Sequence, residues 1–306
     1  MQRLTREYRF RNYGDLSTLP EKPPLRVALG ERFIIETFDA FDKLVTTEAD
    51  VCRPNGPMEG NPCTGPVQVD GISAGDVIAV HIEDLHVVGH CAIGLNETPL
   101  LPGEFSTLRS GFVRIDQGSA RLPGGFEVTV RPMYGCFGVV PAGPSPELGH
   151  HGGNMDIPDV CAGNTVHVRC QRDGALFCCG DGHAVQGDGE VLSGSLEVSL
   201  EGTLRIDRSS YQDVKTLMIE TPAEFITVGI ESDFVDSVKS ALCSMSDLLA
   251  RKRRINMLEA YQFAAHVGDL RLGAIWPMWH EEAKHNTPIP ACLHLHKEFF
   301  PEIGEH

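Results

Sequence analysis

The amino-acid sequence predicts a mainly β protein, a sandwich or barrel-like body carrying a C-terminal helical hairpin. Three observations lead there. The 306 residues include 32 glycines and 20 prolines with only 7% aromatics, a balance that favours turns and short strands over a helical bundle. β-branched runs punctuated by glycine and aspartate recur at short spacing up to about residue 230. Beyond Ser232 the apolar period changes from that of strands to that of a helix.

Taken in order, residues 25–47 read as strands broken by a Gly30-Glu31 turn, and 65–71 as a short strand ending on glycine. Residues 77–84 (Val-Ile-Ala-Val-His-Ile-Glu-Asp) have the β-branched enrichment of a strand. Further strands are expected over 125–141 and 164–179. Another is expected over 193–206, where Leu196, Val198 and Leu200 alternate with polar neighbours. Phe234, Val238, Ala241, Leu242, Met245 and Leu249 then follow helical spacing, with Ser232 as N-cap and Arg251 to Arg254 suiting the negative end of the dipole. A second helix is expected over 256–266. The Pro- and His-rich end from about Trp276 has no clear period.

The remaining bulk properties exclude several classes. Lys and Arg number 26 against 42 Asp and Glu, so the net charge of −16 repels phosphate backbones and anionic lipid. No nucleic-acid or membrane partner is expected, because no window approaches the roughly 18 apolar residues a bilayer span needs. No secretory signal is visible at the start, and the ten cysteines contain no Cys-x-x-Cys pair. They read as reduced, mostly buried thiols of a cytoplasmic protein. Cys178 and Cys179 should face opposite sides of a strand.

Residues 149–191 are the most informative stretch. Asp156, Asp181, His183, Asp188 and Glu190 are hard-metal ligands or proton carriers, set among glycines that admit close backbone approach and positive φ. One Asp-Gly pair is an ordinary turn. So many together bury little apolar surface and cost chain entropy, which points to an active site. Asp181 and His183 at i, i+2 share a strand face and can reach one ion. Asp156 joins them as a ligand, and His151, beside two glycines, is the preferred member of the His150–His151 pair. Glu190, with Asp188 in the same turn, is assigned proton transfer; Glu190 as a metal ligand is the alternative. His294 and His296 are expected to be solvated, and His81, His86 and His90 to play core or surface roles. Glu36 and Asp39 are weaker candidates from a second segment. Residues 1–230 are thus expected to form a β-rich catalytic body, with 231–306 a helical hairpin and C-terminal segment packed on the same unit.

Other amide-cleaving machinery is missing. There is no Gly-x-Ser-x-Gly elbow, no His-Glu-x-x-His, no Gly-Ser-rich run for a Ser-Ser-Lys amidase, and no cysteine in an activating context. Phosphate-cradling glycine loops are missing as well.

His151-Gly-Gly-Asn-Met-Asp156, Gly174-Ala-Leu-Phe177 and Gly180-Asp-Gly-His-Ala-Val-Gln-Gly-Asp-Gly-Glu190 closely resemble the acetamidase/formamidase family. Asn61-Pro-Cys-Thr-Gly-Pro66, Ala74-Gly-Asp-Val77 and Ala265-His-Val-Gly-Asp-Leu-Arg271 resemble its outlying motifs, so the likeness runs from about residue 25 to 275. Cys178 stands where such proteins commonly carry Ser, and 87–108 match loosely. The resemblance implies a mostly β, metal-dependent homo-oligomer (dimer or higher) that cleaves a short aliphatic amide to a carboxylate and ammonia, with lactam opening in some relatives. The expected chemistry is water attack assisted by a divalent ion, Zn2+ first and Ca2+ or Mn2+ compatible, held by Asp156, Asp181, His183 and His151. Glu190 would move the proton to the departing nitrogen, and glycine N–H groups would hold the oxyanion. The competing expectations are a lactam hydrolase and a non-catalytic binder of small ligands on the same scaffold.

Overall fold

The computed structural model describes residues 1–50, 60–93, 111–191, 194–279 and 287–300. Among them, seventeen strands join one mostly antiparallel sheet that curls on itself, and three short strands within 115–129 form a separate meander. Its spine is the pair Val77–Ile93 and Leu196–Arg208, antiparallel over most of their length. Ile78, Val80 and Ile82 on one strand and Val198, Leu200, Leu204 and Ile206 on the other enter a single large core. Register shifts at 197/199 and 203/204 bend the spine, as bulges do.

Strand Phe177–His183 positions the site. It lies between Cys63–Val69 and Met133–Val139, and its far end pairs with Leu196–Arg208. All seven of its residues are buried. Its glycines serve this crowding: a Cβ on Gly180 would strike the Pro62 carbonyl, and one on Gly182 would lie 2.5 Å from Val198 O. Cys178 packs beside Phe10 and Tyr13, while Cys179 enters the large core on the opposite face.

Several boundaries move. The early strand stops at Glu36, and 37–47 contain no strand. The expected 164–179 strand divides into Thr165–Arg169 and Phe177–His183. The 77–84 strand continues to Ile93. The start of the expected 193–206 strand lies outside the described residues, as does most of the loosely matching 87–108 stretch.

Helix α1, Phe234–Arg253, is capped by Asp233 rather than Ser232: its carboxylate accepts from the Val235 and Asp236 N–H groups. Arg254 closes α1 in the left-handed conformation. Helix α2, Met257–Val267, starts from an Asn256–Glu259 capping box. The hairpin buries Met245, Leu248, Leu249, Ala260 and Ala264 against strand residues Phe225, Leu293 and Leu295 in a second apolar cluster. No described helix is long and apolar enough to cross a membrane. The tail supplies a sheet strand, Ala291–His296, paired on one side with Glu224–Gly229 and on the other with Asp269–Leu272. That double pairing buries His294, contrary to the solvated expectation, and its Nδ1 lies 3.1 Å from Glu224 Oε2. His296, at the strand end, is half exposed.

Candidate active site

Four segments bring charged side chains into one cavity of about 210 Å³. Asp181 and His183 come from strand Phe177–His183, and Asp156 follows strand Gly152–Asn154. Glu190 ends the Gly187–Gly189 turn, and Glu197 lies at the start of Leu196–Arg208. Asn61, Glu147, Asn154, Phe41 and Trp276 complete much of the lining. The Glu190 turn is tied down from outside, with Gly189 N–H donating to Leu272 O at 3.0 Å and Ile275 N–H to Gly189 O at 2.7 Å. That donor is therefore committed and does not serve as an oxyanion donor.

His183 joins two sets of buried ligand atoms. Asp156, His183 and Glu190 form one, Asp181, His183 and Glu197 the other, with the atoms of each set within 4.8 Å of one another. His183 Nε2 lies 3.4 Å from Asp181 Oδ1 and 3.3 Å from Glu197 Oε2. On the other side of the ring, Nδ1 meets Gln186 Oε1 at 2.7 Å, and the Gln186 amide nitrogen donates to the Asp156 carbonyl at 2.5 Å. An acceptor at Nδ1 requires the proton there, leaving a neutral ring's Nε2 lone pair aimed at the carboxylates. Asn154, with its amide nitrogen toward the acceptor-only carboxylates, donates to Asp181 Oδ2 and Asp156 Oδ2 at 3.1 Å each and accepts from Asn61 Nδ2 at 2.8 Å. Ser195 Oγ donates to Glu190 Oε1 at 3.2 Å.

The backbone is strained where the chemistry lies. Asn61, Asp156, Asp181 and Glu190 all have left-handed φ, at 62°, 48°, 56° and 38°. Such conformations cost non-glycine residues about 1–3 kcal/mol each and persist where surrounding structure imposes them. Strained, buried and mutually repelling carboxylates are poor material for stability alone.

Burial and neighbouring negative charge raise the carboxyl pKa values. Desolvation, then Glu190 and Asp181, hold Asp156 well above the usual carboxylate range. Desolvation raises Glu190 to about 7, with Glu197 and Asp181 adding to it and His183 opposing. Glu147 also reaches about 7, through burial and then Asp181. Burial opposes charge on His183, yet Glu197 and Asp181 hold its pKa well above 6.5.

The structure thus brings together Asp156, Asp181, His183 and Glu190. It places His151 elsewhere: buried, 5.4 Å from the Tyr13 ring centre, outside the cavity lining and both ligand sets, with burial lowering its pKa to about 4. The two glycines after it turn the chain at the strand pairing with Met133–Val139 rather than opening a path to the cavity. Asp188 sits exposed at the outer corner of the turn and does not line the cavity. His150 is exposed, 3.5 Å from Glu231. Glu36 points to the surface ion pairs with Arg3 and Arg6. Asp39 is fully buried behind the wall, its Oδ1 accepting from the Phe41 and Lys43 N–H groups at 2.9 Å each, with burial and then Glu197 among the causes that raise it to about 7.

Sequence reasoning missed Glu197, Glu147, Asn61 and Asn154 as site residues. Glu197 was hidden by alternation, which assigns the neighbours of Leu196 and Val198 to solvent. The curled sheet covers that face at Glu197 and Ser199, and it becomes half-buried from Glu201 onward. Asn61 and Asn154 lie inside stretches already singled out by pattern, so the signal was present but carried no charge.

A divalent cation fits this donor set. Among the described residues, Asp156 Oδ1, Asp181 Oδ1 and Glu197 Oε2 are buried without a hydrogen-bond partner, a state that oxygen ligands escape by coordination. Gly135 leaves the space between them: a Cβ there would stand 2.5 Å from both Asp156 Oδ1 and Asp181 Oδ2.

The Acetamidase/Formamidase family matches residues 144–264, the span that supplies Glu147 through Glu197. That match makes the central span of the chain similar to this family. Over nearly its whole length the chain shares the fold of solved acetamidases. An acetamidase from Bacillus halodurans superposes with a TM-score of 0.83 at 25% identity, covering 97% of this chain and 98% of the other. A predicted acetamidase/formamidase from Thermoanaerobacter tengcongensis gives 0.80 at 24% identity over 98% and 97% of the two chains. A gamma lactamase from Delftia acidovorans shares the fold more distantly, at a TM-score of 0.56 and 18% identity over 92% and 88%. No curated protein sequence matches the chain.

Proposed function

We propose that this acetamidase/formamidase-type chain hydrolyses the carbon–nitrogen bond of a small linear amide, giving a carboxylate and ammonia. The observation that carries the reading is the pair of buried ligand sets meeting at His183 inside the cavity, on a domain matched to the acetamidase/formamidase family. The Bacillus halodurans acetamidase, similar over nearly its whole length, supports linear amides as the substrate class. A cavity of about 210 Å³ suits a very small substrate, since drug-sized ligands occupy pockets from about 300 Å³ upward.

Asp156, Asp181, His183 and Glu197 would hold the divalent ion. Bound there, it would supply Lewis acidity, polarising the amide carbonyl and easing ionisation of water. Zinc is the first choice; three carboxylates to one imidazole also suit manganese or calcium. Glu190, with its carboxyl near neutrality, takes a proton from the attacking water and delivers it to the nitrogen, which otherwise leaves poorly. Ser195 fixes one Glu190 oxygen, so the other faces the reaction. Gln186 keeps the proton of His183 on Nδ1, and Asn154 holds Asp156 and Asp181 in register. A homo-oligomeric, cytoplasmic enzyme completes the proposal; light scattering on the purified protein tests its subunit count.

The direct test is ammonia release from formamide and acetamide before chelation, after it, and after return of each metal. Glu190→Gln should lower kcat by at least about 10²-fold while the folded protein keeps its metal. Undiminished turnover in that variant removes Glu190 from the mechanism. A metal-loaded protein inert toward every amide and lactam would favour the ligand-binding alternative.

A further inference from the structure

The proposed chemistry uses none of the ten cysteines, yet one of them touches a carboxylate of the site. Cys136, on strand Met133–Val139, is fully buried and lies outside the cavity lining. It pairs with Gly180, which pairs on its other side with Cys63, so one rung of three strands carries two thiols with no side chain between them. Cys136 Sγ lies 3.7 Å from Asp181 Oδ2 and 3.4 Å from the side-chain amide of Asn154. Cys63 backs it, in hydrogen-bond contact with Cys136 and donating its own proton to the Asn61 carbonyl at 3.6 Å.

We propose that Cys136 is a positioning residue: its S–H group holds the Asp181 carboxylate in the orientation that presents Oδ1 to the divalent ion. The inference rests on the metal-site reading above and deepens it. A thiol has one proton to give, and the apolar surroundings of Phe10, Tyr13 and Val140 favour the neutral thiol over the thiolate. Of the groups near Cys136 Sγ, the Cys63 sulfur is a weak acceptor and the Asn154 nitrogen is itself a donor, so the proton goes to Asp181 Oδ2. The two oxygens of Asp181 thereby differ. Oδ2 accepts from Asn154 and Cys136, whereas Oδ1 is buried with no hydrogen bond and lies 3.4 Å from His183 Nε2. Two donors on one oxygen resist the rotation of the carboxylate that would exchange them.

Asn154 and Cys136 divide this work. Asn154 donates to Asp156 as well as Asp181 and so fixes the two acids relative to each other. Cys136 ties Asp181 to the apolar cluster behind the strand. A packing role alone would make Cys136 interchangeable with any residue of its size. Serine and alanine have nearly equal volume and only serine can donate, so that pair of substitutions separates bonding from filling.

The test measures the zinc affinity of the folded, chelated protein by competition with a chromophoric chelator. Cys136→Ala should weaken zinc at least about tenfold, and Cys136→Ser should stay within about threefold of wild type. Cys170→Ala is the control: that thiol is buried in the large core, its N–H bonded to Asp76, and its loss should lower stability with zinc affinity unchanged. Infrared difference spectra read the bond in wild type itself. Zinc should draw charge from Asp181, weaken the S–H···O bond and shift one S–H stretch to higher frequency, and that band should vanish in Cys136→Ser. Unchanged affinity in Cys136→Ala, equal losses in Cys136→Ala and Cys136→Ser, or S–H stretches indifferent to zinc overturns the positioning role. A sulfur-to-metal charge-transfer band in the cobalt-loaded protein that is lost in Cys136→Ser also overturns it, because Cys136 would then be a ligand. A wild type that takes up no divalent ion overturns the metal reading as well. Zinc uptake by wild type with any of the earlier failures overturns only this inference.

Discussion

Two buried histidines in this protein each stand 3.3 Å from a glutamate, and their surroundings separate a site from a scaffold. His167 Nε2 faces Glu220 Oε2, its Nδ1 meets Ser209 Oγ at 2.9 Å, and Lys297 donates to Glu220 at 2.7 Å. Each of these groups has a partner. His183 Nε2 faces Glu197 Oε2 at the same distance, yet Asp181, Asp156 and Glu190 crowd the same space with no lysine or arginine among the described residues that line the cavity. Burial alone would raise Glu220, but His167 and Lys297 overcome it and hold the carboxyl at about 2. For Glu190 and Asp156, His183 opposes burial and the neighbouring carboxylates without overcoming them, and both are raised. A histidine–carboxylate pair is therefore no sign of function in itself. The sign is an excess of buried negative charge that the protein leaves uncompensated.

The largest expected effect breaks this comparison at its centre. Glu197→Gln should reduce metal affinity and kcat/KM by at least about 100-fold while leaving the chelated protein as stable as wild type or more so, because it removes one of several repelling charges. Glu220→Gln should do the reverse, costing about 1–2 kcal/mol of stability with kcat/KM within about threefold of wild type. Paired urea titrations and kinetics check both. If the two variants lose stability alike, the distinction between the regions is wrong.

Gly135→Ala offers a sharper probe, because it touches only the first region. The new Cβ would intrude between Asp156 Oδ1 and Asp181 Oδ2 from the neighbouring strand. Metal affinity should fall at least tenfold, with an overpacking cost of about 1–3 kcal/mol. Retention of wild-type metal affinity would show that these two carboxylates do not act together.

The same contrast explains how much of the molecule was legible beforehand. The β body and the hairpin follow from local periodicity, and the 156–190 density of carboxylates and glycines marked Asp156, Asp181, His183 and Glu190 because a chain rarely concentrates such residues without use. Glu197 was illegible because its burial depends on curling of the sheet, a property of many strands at once. His294 was misread for a related reason: only pairing on both sides of the tail strand covers it. His151 and Asp188 failed in the opposite direction. They share the composition of the site block, but composition does not say which way a turn points its side chains, and Asp188 points out. Glycines 180 and 182 were read as freedom for a backbone near an ion, whereas they admit neighbouring strands and backbone at close range.

The smallest effect is a pair of opposed pH dependences, measured on the chelated protein. Glu220 is depressed to about 2 from an ordinary 4.5, so its stabilisation is fully present above pH 4.5 and is lost as pH falls toward 2. The penalty of Glu220→Gln should therefore be constant from pH 5 to 8 and shrink between pH 4.5 and 3. Glu147 is raised to about 7 from 4.5, chiefly by burial. The folded state holds that proton more tightly than the unfolded chain does, so ionising it destabilises the fold progressively as pH rises from 4.5 through 7. Glu147→Gln should thus leave stability near wild type at pH 4.5 and raise it by about 1–2 kcal/mol at pH 8. Because one carboxyl is held by His167 and Lys297 and the other is buried beside Asp181, the two variants must diverge in opposite directions from wild type as pH rises. Parallel curves would mean that Glu147 finds a cation in solution, and that the cavity is less negative than its buried carboxylates imply.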